Sequence, residues 1–86
     1  MTTLHILDLP DRFDFCLATC QPDDMVVLVG AAVLLHKDGR LTGVNHRILS
    51  TDLSARGMLS MVNPDAVITP EEVADFCVSY PRQVKW

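Results

Sequence analysis

The sequence predicts a single α/β domain, a mostly parallel sheet of four to five short strands with helices on both faces. Three observations predict it. Short β-branched runs alternate with helical periodicities along all 86 residues, the pattern of parallel strands joined by crossover helices. Asp24-Met25-Val26-Val27-Leu28-Val29 is apolar throughout after its first residue, as a strand covered on both faces must be. No internal repeat, linker or low-complexity run divides the chain, so residues 1–86 read as one domain.

The elements follow in order. Thr2 to Leu7 is rich in Thr, Ile and Leu and ends at Asp8-Leu9-Pro10, a first strand running into a turn. Asp11 is placed to cap a helix from Arg12 to Cys20, in which Phe13, Cys16, Leu17 and Cys20 recur at helical spacing as one apolar stripe. Gln21-Pro22 stops it, because proline cannot continue the ladder. The run from Asp24 to Val29 is the predicted central strand. Gly30 ends it, and Ala31 to His36 form a short helix closed by Lys37-Asp38-Gly39. The stretch on to Asn45 carries no decisive pattern.

His46 to Ser50 supplies a third strand, and Thr51 or Asp52 caps a short helix through Arg56 that Gly57 terminates. Met58 to Val62 is apolar without a clear period. Ala66-Val67-Ile68 is a brief fourth strand. Thr69-Pro70-Glu71-Glu72 is the best local signal: Thr69 as N-cap, Pro70 at the first helical position, Glu72 where a capping box needs it, and both carboxylates near the positive helix end. The helix that follows carries Val73, Phe76, Cys77 and Tyr80 on one face until Pro81, and Gln83 to Trp86 form a last edge strand.

Composition narrows the function. A net charge of −4 and a pI near 5.0, with scattered Lys and Arg, leave no basic field for phosphates, so direct nucleic-acid binding is not expected. The longest apolar run, Met25 to Leu35, spans 11 residues, short of the roughly 20 that cross a bilayer. No membrane span or export signal is expected, and the cytoplasm is the expected location. The chain is 49% hydrophobic against 21% charged, with a mean hydropathy of +0.23. In so small a domain some of that apolar surface is expected to meet a partner.

Three cysteines, with no export signal, read as reduced thiols rather than a disulfide framework. Cys16 and Cys20 stand one turn apart and are the candidate sulfur carriers. Two readings are open for them. They hold or hand on a sulfane sulfur, or they pack in the apolar stripe. A carrier needs an exposed thiolate of lowered pKa, and Arg12 is the only cation placed to help. Cys77 reads as core. His5, His36 and His46 lie on three elements with no ligand at metal spacing, so surface or half-buried roles and no metal site are expected. No GxGxxG, P-loop or GxSxG pattern is present, and no cofactor is expected. Asp23-Asp24 and Glu71-Glu72 have structural tasks at a turn and a helix start.

Asp52-Leu53-Ser54-Ala55-Arg56-Gly57 resembles the D-L-x-A-R-G stretch of the TusB/DsrH family. The rest of the chain agrees. Thr3-Leu4-His5-Ile6 is similar to the family's Leu-His-Thr-like first strand, and Pro22 to Leu28 to its acidic loop before an aliphatic strand. Ala74-Asp75-Phe76-Cys77 and Val84-Lys85-Trp86 are similar to its D-F-V helix and C-terminal Trp. In two places the chain departs. Val29-Gly30-Ala31 replaces an acidic–glycine pair after the second strand, and the loop between Asp38 and His46 is altered.

The resemblance implies a DsrE-like fold and a place in a hetero-oligomer, a dimer of trimers with two sister DsrE-like subunits, TusC/TusD-like or DsrF/DsrE-like. Such complexes pass persulfide sulfur between carrier proteins, in the Tus form toward 2-thiouridine at the wobble position of tRNA, in the Dsr form in dissimilatory sulfur oxidation. The resemblance places the principal sulfur-carrying cysteine on the sister subunit TusD or DsrE, and matches Cys16 to a first-helix cysteine that some DsrH members carry, with Cys20 an additional thiol. Under this reading Arg56 pairs across a subunit interface, its alternative being a cation over a helix end. Trp86 packs on this chain or on a neighbour. The competing readings are a stand-alone thiol sulfurtransferase using Cys16 or Cys20, and a plain homo-oligomeric interaction domain.

Overall fold

A computed structural model of the chain describes residues 2–86. Five strands are found among these residues: β1, Thr3–Leu7; β2, Met25–Leu28; β3, His46–Leu49; β4, Val67–Ile68; and β5, Arg82–Lys85. They form one sheet in the order β4-β3-β2-β1-β5, with every neighbouring pair parallel. The order runs away from β1 in one direction through β4 and then returns to its other side with β5. The switch of direction therefore falls between β1 and β5.

β2 is the central strand, and Met25, Val26, Val27 and Leu28 are all buried. Successive side chains of a strand point to opposite faces, so an unbroken apolar run is what two covered faces require. One face carries Leu7, Val26, Leu28 and Ile48, packed under Phe13, Cys16, Ala32, Val33, Leu41 and Leu53. The other carries Leu4, Met25, Val27 and Ile68, with Val73, Phe76, Cys77 and Tyr80 against it. Helices thus lie on both faces, as expected, while Cys77, read as core, is only half-buried where the helix Pro70–Ser79 packs against this second cluster.

The first of those layers comes from four segments. α1, Phe13–Thr19, buries Phe13 and Cys16. The predicted helix over Ala31 to His36 is a run of 3-10 turns, Gly30–Lys37, and the undecided stretch beyond it is a second run, Gly39–Gly43. α2, Ser50–Ala55, contributes Leu53. Arg40 from the second 3-10 run lies over the Phe13 ring, 4.5 Å from its centroid, and bridges Asp14 and Asp38. This cation ties the altered loop down onto α1.

Two capping expectations need correction. Asp11 does not cap α1: Pro10, whose fixed φ suits a helical start, opens a 3-10 turn over Pro10–Arg12, and Asp11 falls inside that turn. Neither Thr51 nor Asp52 caps α2, which begins at Ser50 after an extended Leu49. The Asp52 carboxylate instead accepts a 2.7 Å hydrogen bond from the Gly30 N–H, a partner 22 residues away. By contrast the capping box of α3, Pro70–Ser79, forms as read. Thr69 Oγ1 accepts from the Glu72 N–H at 3.2 Å, and Glu72 Oε1 accepts from the Thr69 N–H at 3.1 Å.

Candidate functional site

β1 and β2 pair with His5 opposite Val26, and β1 and β5 with His5 opposite Val84. This register places an imidazole in the middle of the sheet beside the turn that precedes β2. His5 is therefore neither a surface nor a half-buried histidine. It is 1% exposed, because β1 is flanked on both sides and α1 covers its face.

The site is a chain of hydrogen bonds through three side chains. His5 Nε2 lies 2.9 Å from Asp24 Oδ2, and the indole Nε1–H of Trp86 donates to His5 Nδ1 at 3.1 Å. Indole nitrogen is a donor only, so Nδ1 must present its lone pair. The ring proton is then on Nε2, where it is donated to Asp24. The two rings lie 19° from parallel with centroids 6.2 Å apart, consistent with an edge-to-edge approach along that lone pair.

Asp24 completes the chain from the other end. Its Oδ1 accepts from the Thr3 N–H at 2.9 Å, and its Oδ2 also accepts from the Gln21 N–H at 3.0 Å. Burial, the largest single influence, resists ionisation of this carboxyl. The hydrogen bonds from Gln21, His5 and Thr3 together outweigh it and hold Asp24 below the usual carboxylate range. Among the described residues no buried side-chain nitrogen or oxygen lacks a partner. The network is thus fully satisfied, the condition under which a buried polar cluster rigidifies a core.

Cys20 approaches this network from the end of α1. One ligand atom each of His5, Cys20 and Asp24 lie within 4.8 Å of one another, the only such trio of His, Cys, Asp or Glu among the described residues. Donor chemistry rules against a cation there. A histidine that ligates through Nε2 carries its proton on Nδ1, but Nδ1 already receives the Trp86 N–H. The same occupancy denies Cys20 a base, since both imidazole nitrogens are engaged. The Cys20 thiol donates to the Gln21 carbonyl at 3.6 Å, and burial followed by the Asp24 charge pushes its pKa up.

Cys16 lies deeper, wholly enclosed in the core, and burial followed by Cys20 pushes its pKa up to about 12. Neither thiol is activated in the sense a sulfur carrier requires. Cys20 is the more accessible of the two and lines a cavity of about 250 Å³ with Leu17, Pro22, Val44 and Asn45.

At the opposite, C-terminal ends of the strands, three elements converge on Gly30. Its φ of +55° is a left-handed conformation, and a Cβ there would sit 2.2 Å from Asp8 Oδ1. Asp8 from the end of β1 and Asp52 from α2 thus bring two carboxylates to one backbone turn. Beside it opens a cavity of about 290 Å³ lined by Ile6, Asp8, Leu9, Val29, Lys85 and Trp86. It sits at the carboxyl ends of β1, β2 and β5, next to the switch in strand direction, where open α/β sheets bind their ligands. Arg56 is exposed after α2, and Trp86 packs within this chain, half-buried against the core.

Sequence reading brought neither His5 nor Asp24 to the site. The separation of 19 residues between them follows no ligand or triad spacing. The one available signal is indirect: an acid immediately ahead of a central strand and a histidine inside the first strand meet when those strands pair in parallel. No protein-family model matches the chain, and no curated protein matches it.

Proposed function

We propose that this chain is a subunit of a sulfur-relay assembly of the TusB/DsrH kind, shaping the complex while a sister subunit carries the persulfide. The motif likeness supports this reading. Its segments fall in order on β1, the turn into β2, α2, α3 and the end of β5. The D-L-x-A-R-G segment has a structural task here, since its Asp52 fastens the Gly30 turn.

The single observation behind the division of labour is the state of Cys16. The thiolate is the form that attacks and carries sulfur, and an enclosed thiol with a pKa of about 12 holds a negligible amount of it at neutral pH. A partner is also favoured by apolar side chains left in water: Phe15 is 61% exposed, Leu34 54% and Met61 53%.

In this reading the chain binds two DsrE-like sisters in a dimer of trimers and receives sulfur-carrier proteins, with 2-thiolation of the tRNA wobble uridine as the outcome. Co-expression with two DsrE-like subunits, followed by size-exclusion chromatography, is expected to give a hexamer. Elution of this chain by itself in their presence overturns the proposal. Loss of 2-thiouridine from tRNA on deleting the gene separates the tRNA relay from a sulfur-oxidation counterpart.

The accessibility of Cys20 favours one second reading, a thiol sulfurtransferase acting alone. It requires a protein-bound persulfide, visible by mass spectrometry after incubation with a sulfur donor, that disappears in a Cys20→Ala or Cys16→Ala variant. Among the described residues no helix is long and apolar enough to cross a membrane, and an acidic chain of this kind offers phosphates no basic surface.

A further inference from the structure

The cavity of about 290 Å³ at the strand ends opens on one face of the sheet. Two of its lining residues, Ile6 and Val29, pack on the side of the second core cluster. Lys85 is the register partner of Ile6 and shares its face, since partners across paired strands point the same way. The Trp86 ring turns to the other face, to His5 and the first cluster. The side chains offered to a ligand are therefore Ile6, Leu9 and Val29, with Asp8 and Lys85 beside them. α3 packs on the same face through Val73, Phe76, Cys77 and Tyr80 but lends no residue to the cavity. Asp8, Leu9 and Lys85 are exposed, so solvent reaches it.

We propose that this cavity binds a free α-amino acid with an aliphatic side chain, its carboxylate held by Lys85, its ammonium by Asp8 and its side chain on Ile6, Leu9 and Val29. The place is one that open α/β sheets use for ligands, the strand ends beside a switch in strand direction. The volume, close to the lower end of about 300 Å³ for ligand pockets, suits one small molecule and is too small for a nucleotide.

Charge selects the class. Asp8 and Lys85 line the same cavity, yet among the described residues neither belongs to an ion pair. A simple anion meets the Asp8 carboxylate, with Asp52 close by on the Gly30 turn. A simple cation meets the Lys85 ammonium. A molecule that carries both signs on an apolar body complements every part of the lining at once.

The frame is fixed before anything binds. Trp86 N–H donates to Ile6 O at 2.9 Å, the Asp8 and Leu9 N–H groups donate to Trp86 O at 3.2 Å, and Val29 N–H donates to Leu7 O at 2.9 Å. Each strand end that lines the cavity is thus tied to its neighbour, and binding has little backbone to order. Gly30 lacks the Cβ that would stand 2.2 Å from Asp8 Oδ1, which leaves this carboxylate room over the turn.

Titration of the intact, isotope-labelled chain with L-leucine, followed by amide nuclear magnetic resonance, tests the assignment. The amides of Ile6, Asp8, Leu9, Val29 and Lys85 are expected to shift along one saturating curve. Isocaproate lacks the ammonium and isoamylamine lacks the carboxylate. Each should bind about fivefold more weakly than L-leucine, the scale of one exposed ion pair. Asp8→Asn and Lys85→Met should each weaken L-leucine by a similar factor, and both positions are exposed, so neither change disturbs the core. Asp8→Asn should not weaken isocaproate, nor Lys85→Met isoamylamine. Shifts that never saturate, or that lie away from these five residues, overturn the proposal. So does binding of either analogue, or of L-leucine to either variant, at undiminished strength.

Discussion

His5 Nε2 and Asp24 Oδ2 stand 2.9 Å apart, with the two residues 1% and 3% exposed. Their contact joins β1 to the turn ahead of β2, and Asp24 adds the Thr3 and Gln21 N–H groups to it. In Asp24→Asn the amide NH₂ cannot accept, so at least one buried N–H is left facing a donor. Hydrogen bonds to a charged group contribute about 1.5–3 kcal/mol each, and a loss on the order of 3 kcal/mol in urea or guanidinium denaturation is expected. An Asp24→Asn protein as stable as the wild type would show that the network is dispensable.

The same carboxylate sets an acid limb. Because its folded pKa lies below the ordinary value, its contribution is fully present above about pH 4 and is lost as pH falls through the folded value. The stability gap between wild type and Asp24→Asn should therefore narrow below pH 4, as measured by denaturation midpoints in steps down from neutral pH.

This contact shows where sequence reading stops. Runs that bury both faces are written in composition, so β2 was legible as the central strand from Met25 to Leu28, and the Thr69–Glu72 box from spacing alone. The His5–Asp24–Trp86 chain depends on strand register and order, which pair residues 19 and 81 positions apart. The cap on α2 failed for a related reason. Asp52 had a nonlocal donor in Gly30, and a distant partner competes with a local cap in a way no short window reveals.

Cys16 sets the alkaline limb with the opposite sign. A thiol whose folded pKa is raised from 9.0 to about 12 contributes stability that is complete below about pH 9 and disappears as pH climbs toward 12. The slope is at most about 1.4 kcal/mol per pH unit. Cys16→Ala should flatten this limb. Thiol titration of the native chain with a disulfide reagent at neutral pH should label Cys77 and Cys20 well before Cys16, and prompt labelling of Cys16 would contradict its burial.

Thr69→Ala removes the Oγ1 that accepts from the Glu72 N–H, leaving an uncapped start to α3. The expected cost is about 1 kcal/mol. α3 buries none of its residues fully, so hydrogen exchange should quicken in its first turn before the sheet amides change. Uniform quickening across β1 and β2 would mean that the cap supports the whole domain rather than its own helix.

Gly30→Ala tests the turn where β2 ends. A left-handed backbone with a Cβ costs roughly 1–2 kcal/mol, and here the new methyl also meets Asp8 Oδ1 at 2.2 Å. The carboxylate has to swing aside, and Asp8 is exposed and free to do so. Backbone strain is therefore the larger part of the loss. Asp8→Ala in the same background should recover only the smaller, steric part. Asp52→Asn weakens the 2.7 Å bond to the Gly30 N–H, acts on the same turn and should combine with Gly30→Ala less than additively. Strict additivity in a double-mutant cycle would place the two residues in independent structures.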